Sequence, residues 1–238
     1  MRTLLRYIDD KTTEYEKLPL FEFLRDDSVD ARARLGFVPC LAHFVMTFAD
    51  LYALVLREEP ARNDYQKLVN AHTYEDGGHW KWFLSDLAVL EMDEPVRFSE
   101  ALRFIWGDAT VKTRMLAYEM CRLGLGASSL HKLVLVHCIE AAGKVSLVAG
   151  APVGREVAQR LGRKLVYFGP HHLDTESDHT LEDDSVRRSL DEVVIDDTAR
   201  AELKILVDRA FAAFVAFSDE LLRFAQQRGG EHGLSPEA

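Results

Sequence analysis

Val134-Leu-Val-His-Cys-Ile-Glu140-Ala-Ala-Gly-Lys144-Val-Ser-Leu-Val148 is apolar on nearly every side of a helix, so the segment belongs inside a helical protein and not on its surface. A carboxylate sits in the middle of it. An isolated carboxylate in such surroundings would be costly or would take up a proton, so Glu140 needs a partner. Two partners are open: Lys144 one turn on, in a plain ion pair, or a metal ion that Glu140 bridges or terminates. His137, one turn before, reads as a core residue bonded to a carbonyl.

Outward from this segment, helical spacing of apolar residues recurs over residues 4–24, 31–56, 65–90, 99–123, 128–149, 153–167, 171–181 and 197–228. The predicted class is all-α, a single-domain helical bundle over residues 1–228 with a frayed tail at 229–238. Breaks are predicted at Glu59-Pro60, Glu94-Pro95, Gly150-Ala-Pro152 and Gly169-Pro170, and Ser99 and Ser128 are predicted N-caps. A chain of 238 residues with 47% hydrophobic content can bury a substantial core, and no linker-like segment divides it.

Directly after Gly169-Pro170 comes His172-Leu-Asp-Thr-Glu176-Ser-Asp-His179. Positions i, i+4 and i+7 fall on one helical stripe, and two imidazoles flanking a carboxylate on one stripe form a metal-binding pattern. The two histidines lie about 10 Å apart along the axis, a span better suited to two neighbouring ions than to one. Glu176 would then stand between them. The surrounding segment, 171–184, is rich in Asp and Glu and has few apolar anchors, so its order is expected to depend on bound metal.

A second constellation lies upstream in His72-Thr-Tyr-Glu75-Asp76-Gly-Gly-His79-Trp-Lys-Trp82. Asp76 and His79 form an acidic-x-x-His pair, the spacing used in carboxylate-bridged di-iron bundles. His72 and Glu75 are either further ligands or ordinary polar groups on a half-exposed helix. Gly77-Gly78 marks a local bulge, room for a ligand, or a loop between two helices. Tyr74, Trp80, Trp82, Phe44 and Phe48 read first as core packing, and His43 as a core histidine that remains a candidate ligand.

The net charge of −10 argues against nucleic acid and anionic membrane as partners. The first ten residues are too acidic for a signal peptide and no window is expected to span a membrane, so a cytoplasmic location is expected. Cys40, Cys121 and Cys138 are widely spaced and read as reduced thiols. The expected partner is a small molecule, and a homodimer is left open.

The ordered set acidic-x-x-His, lone buried Glu, then His-x-x-x-Glu-x-x-His resembles the haem-oxygenase-like di-iron oxidases. Asp76 and His79 match the first element, Glu140 the second, and His172, Glu176 and His179 the third. The resemblance implies that these six residues hold two iron ions, with Glu140, His172 and Glu176 as catalytic positions and O2 as co-substrate. It also implies a haem-oxygenase-like bundle that oxidises a small substrate. The implied substrate is an amino acid or a similar molecule, with nitrile formation from a tryptophan or its halogenated form as the sharpest version. Oxidative decarboxylation or C–C cleavage of a fatty acid or another carboxylic acid is the alternative within enzymes. Cofactor-free relatives of the fold, thiaminase-like hydrolases or ligand-binding proteins, and a helical scaffold without chemistry are the other readings. The chain departs from the family in carrying Glu176 where many members have Asp, and in lacking a Glu on an earlier helix, where 31–56 offers His43 and Asp50. Lys144 or Arg114 is the expected clamp for a substrate carboxylate.

Overall fold

In the computed structural model of the chain, which describes residues 1–177 and 190–231, Glu140 lies in one 33-residue helix, Ser129–Leu161. Ser128 caps it by accepting from His131 N, and Gly162 ends it in the left-handed region at φ 62°. The predicted break at Gly150-Ala-Pro152 is not there. An interior proline costs about 3 kcal/mol, yet Ala149, Gly150, Ala151, Val153, Gly154 and Val157 are all buried at this point. Packing of that surface outweighs the lost backbone bond, and most of the helix predicted at 153–167 is the continuation of the one before it. Gly154 is required here, because a Cβ on it would lie 1.9 Å from the Phe168 carbonyl oxygen.

In chain order the helices are α1 (Arg2–Tyr15), α2 (Pro19–Arg25), α3 (Ala31–Arg34), α4 (Ala42–Asp50), α5 (Asp64–Asp76) and α6 (Trp80–Val89). They continue as α7 (Phe98–Trp106), α8 (Val111–Gly124), α9 (Ser129–Leu161), α10 (Pro170–Ser177) and α11 (Asp197–Glu231). Short 3-10 turns occupy Val38–Leu41 and Asp108–Thr110, and Leu51–Leu56 continues α4 as a π-helical turn. Among the described residues there is no strand, so the class is all-α as the pattern predicted. Helix α9 packs against α1, α2, α3, α5, α8 and α10, and α11 packs along α1, α8 and α9. Leu133, Val134, Leu135, Val136 and Cys138 are each fully buried, which makes α9 the axis of the core.

Several predicted helices are divided. Residues 4–24 split at Leu18-Pro19, where Leu18 is extended and Pro19 opens α2. Residues 31–56 are interrupted before Pro39, residues 65–90 at Gly77-Gly78, and residues 99–123 at Gly107. The N-cap of α7 is Arg97 and not Ser99, and Glu100 Oε2 accepts from Arg97 N at 3.4 Å.

Buried polar groups tie these helices together. Glu220 of α11 accepts from Lys112 N at 2.7 Å and Thr113 N at 2.8 Å, placing a carboxylate at the N-terminus of α8. Lys132 Nζ of α9 meets Glu58 Oε1 at 2.7 Å. Two stretches, Ala31–Leu56 and Ser129–Leu161, are apolar and long enough to cross a membrane by length and composition, contrary to the expectation that none would be. In the fold the second is the core helix, with 56% of its most apolar window buried. Helix α11 reaches Glu231, so residues 229–231 of the predicted tail are helical; 232–238 lie outside the described residues.

Candidate metal centre

Helix α5 starts at Asn63, whose side chain accepts from Gln66 N, and ends at Asp76. His72 and Asp76 stand one turn apart on its buried face, at 0% and 4% exposure. His72 Nε2 lies 3.3 Å from Asp76 Oδ2 and 3.0 Å from Glu140 Oε1, reaching across from α5 to α9. One donor atom from each of His72, Asp76 and Glu140 lies within 4.8 Å of the others. An ion about 2.1 Å from each donor would need only small side-chain movements to close this set.

Tyr52 completes the cluster. Its hydroxyl lies 3.2 Å from His72 Nε2 and donates to Glu140 Oε1 at 3.4 Å. Tyr52 arrives from the π-helical turn Leu51–Leu56, a local widening of the helix that recurs at functional sites. Burial by itself would keep the His72 imidazole neutral. The carboxylates of Glu140 and Asp76 outweigh that effect and push His72 up to about 11. Without an ion, a proton on His72 thus provides the positive charge between the two carboxylates.

His79 comes to Asp76 by a turn and not along one helix. Gly77-Gly78 ends α5, His79 N donates to Asp76 O at 3.2 Å, and His79 itself caps α6. Of the readings of the two glycines, the loop between helices is the one found. His79 Nδ1 lies 3.8 Å from Asp76 Oδ1, so the two oxygens of Asp76 face two different imidazoles. Trp82 stacks on the His79 ring with centroids 4.3 Å apart and 18° between planes.

His172 is delivered by the segment between α9 and α10. Asp86 of α6, fully buried, accepts from Val166 N at 2.8 Å and Phe168 N at 2.9 Å. Burial raises its carboxyl above the ordinary aspartate value, and these two backbone donors pull in the opposite direction. Pro170 then opens α10, and His172 Nδ1 donates to Tyr167 O at 2.9 Å. A carbonyl only accepts, so Nδ1 holds the proton and Nε2 presents its lone pair, as metal-binding histidines do. The His172 and His79 rings lie 4.7 Å apart between centroids.

Asp76, His79, Glu140 and His172 line one cavity of about 150 Å³. Apart from Ser146 and Ser218 its other walls are apolar, with Phe44, Phe48, Trp80, Phe214 and Phe217 prominent among them. No Lys, Arg or Cys lines it among the described residues.

Four of the six predicted ligands are therefore brought together. Glu176 lies in α10, with its side chain outside the described residues. His179 is outside them altogether, as is the part of the metal-dependent order prediction that falls on 178–184. His72, read as a ligand or an ordinary polar group, is at the centre of the cluster, and Glu75 Oε2 lies 3.8 Å from its Nδ1. His43 packs edge-on against Trp106 and Tyr118, and Asp50 is exposed. Neither Lys144 nor Arg114 lines the cavity. Arg114 donates to the carbonyls of Ile105 and Gly107 and to the Thr110 hydroxyl, which fixes the connection before α8, and Lys144 is exposed on α9. Of the aromatic residues, Trp80, Phe44 and Phe48 line the cavity, while Tyr74 is 60% exposed beneath the Arg57 guanidinium.

The donor set of imidazoles and carboxylates fits iron or manganese, and the cluster has no thiolate that would favour a structural zinc. Cys40, 1% exposed, has its thiol pushed up to about 12 by burial, with the charge of Glu220 acting in the same direction. No known protein family matches the chain, and none of the characterised sequences compared with it does.

Proposed function

We propose that this chain is a non-haem di-iron oxidase or oxygenase with a haem-oxygenase-like fold. In this reading it uses O2 to oxidise a small amino acid or amino-acid-like molecule, with nitrile formation from a tryptophan-type substrate as the sharpest form. The observation that carries the reading is that Asp76, His79, Glu140 and His172 line one mainly apolar cavity, with His72 behind them grouped with Asp76 and Glu140. His72, Asp76 and Glu140 would hold one ion, and His79 and His172 would hold the second, with Asp76 turned toward both. Two ferrous ions at these positions would supply two electrons to O2.

The residues of the chain do the rest. Glu140 and Asp76 would neutralise the charge of bound cations, and Tyr52 holds the Glu140 carboxylate through its hydroxyl. The Tyr167 carbonyl holds the His172 ring so that Nε2 faces outward as an acceptor. The aromatic walls exclude water and leave no basic side chain for a substrate carboxylate, so that group would bind at the metal side of the cavity. An apolar cavity of about 150 Å³ is the size that accepts a benzene ring. The same apolar walls also suit an alkyl chain, which keeps fatty-acid cleavage as the second reading.

The test is anaerobic reconstitution with Fe(II), followed by O2 uptake with tryptophan, its halogenated forms and medium-chain fatty acids. Near two irons per chain, and uptake stimulated by the amino acids alone, is the expected result. His172→Ala and Glu140→Ala should lose metal and O2 uptake while keeping the helical circular dichroism. Wild-type metal content in both variants would refute the assignment.

A further inference from the structure

The cavity has a second polar feature, distant from the metal-binding residues. Ser146 of α9 and Ser218 of α11 both line it, and Ser218 is 1% exposed. The Tyr15 ring is locked edge-on against Phe21, Phe211 and Phe214, and its Oη lies 2.8 Å from Ser218 Oγ.

Ser146 Oγ donates to Ala142 O at 3.0 Å, which spends its one proton and leaves its lone pairs. Tyr15 and Ser218 share one hydrogen bond in which either hydroxyl can donate. Lone pairs are what Ser146 has left to offer the cavity, and an acceptor facing an apolar space is stabilised by a ligand that brings a donor. Ser146 follows Glu140 by six residues, about 9 Å along the helix axis. Between them Gly143 also lines the cavity, and a Cβ on it would meet nothing within 4 Å, so it borders open space.

We infer that Ser146, beside Ser218 in the cavity wall, is a specificity-determining residue that accepts a hydrogen bond from one N–H or O–H on the ring of an aromatic ligand. The ring lies beside Gly143 among Phe44, Phe214 and Phe217, and its reacting end points toward Glu140 and His172. This rests on the function proposed above only for the direction in which the ligand lies.

The test uses the metal-free full-length protein, so that it stands apart from the iron chemistry. Affinities for indole and for 1-methylindole, which lacks the donor, are measured by calorimetry in the wild type, Ser146→Ala and Gly143→Leu. One hydrogen bond to a buried acceptor predicts a wild-type preference for indole of about five- to tenfold. In Ser146→Ala the preference should fall toward one while 1-methylindole affinity stays near wild type. Gly143→Leu should abolish binding of both and keep the wild-type circular dichroism and melting. Equal binding of the two probes by the wild type, or an unchanged preference in Ser146→Ala, would overturn the inference. Indole preference without iron binding would leave it standing and sink the proposed oxidase instead.

Discussion

Asp86 holds the backbone just before α10, and the placement of His172 depends on it. Its two oxygens accept from Val166 N and Phe168 N, at 2.8 and 2.9 Å, in a fully buried setting. A buried donor left without a partner costs about 1–3 kcal/mol. Asp86→Asn keeps one acceptor oxygen and turns an amide N–H toward the other backbone donor, so a loss of about 2–3 kcal/mol is expected. For a chain of this size that corresponds to a fall in melting temperature of roughly 5–10 °C. The folded-state value of the Asp86 carboxyl is raised above the unfolded one. Its stabilising contribution is therefore fullest below about pH 4 and declines as pH rises through the folded value. The deficit of Asp86→Asn should narrow correspondingly between acid and neutral pH. Because Tyr167 O, which orients His172, lies between the two residues held by Asp86, Fe(II) affinity should fall by about tenfold. Thermal melts across pH and an anaerobic Fe(II) titration test this together. A variant that melts with the wild type and binds iron equally would show that Asp86 does not hold residues 166–168.

Tyr52→Phe removes a hydroxyl shared by His72 and Glu140. Iron affinity should drop by about tenfold with a stability change of only about 1 kcal/mol, read by metal titration and urea unfolding. Gly154→Ala drives a Cβ against the Phe168 carbonyl oxygen, so a loss of about 1–3 kcal/mol is expected on thermal denaturation, together with weakened iron binding through the displaced segment. Cys40 and Cys138 are almost fully buried, at 1% and 0% exposure. Intact mass after iodoacetamide at pH 8 should therefore show at most one slow adduct on the native protein, at Cys121, whose own thiol is raised by burial.

What the sequence made legible was whatever periodicity and burial control. The apolar run around Glu140 marked α9 as the core helix because no other environment accommodates such a surface, and the same logic required a partner for its carboxylate. Helix ends were less legible. Pro19 and Pro39 interrupt helices that apolar spacing alone would have joined, while Pro152 fails to interrupt one because both flanks of it are buried. Local propensity and tertiary packing compete at each of these positions, and only the fold decides between them.

The site follows the same division. The acidic-x-x-His pair could be read from spacing, but spacing implied one helical stripe where the chain makes two helices and a glycine turn. Straightening that turn would carry His79 around the α5 axis by its three residues, whereas the observed turn places His79 Nδ1 3.8 Å from Asp76 Oδ1. The misread geometry matters chemically, because it is the turn that lets one aspartate address His72 with one oxygen and His79 with the other. Tyr52 left no signal in the sequence. In an apolar run such as Phe48-Ala-Asp-Leu-Tyr52-Ala-Leu-Val-Leu56 a tyrosine reads as core, and its role arises from a π-helical turn that no residue pattern there announces. A ligand set assembled across α5, the turn after it, α9 and α10 is thus visible in sequence only as separate donors. Their convergence depends on groups such as Tyr52 and Asp86, which hold the donors in place.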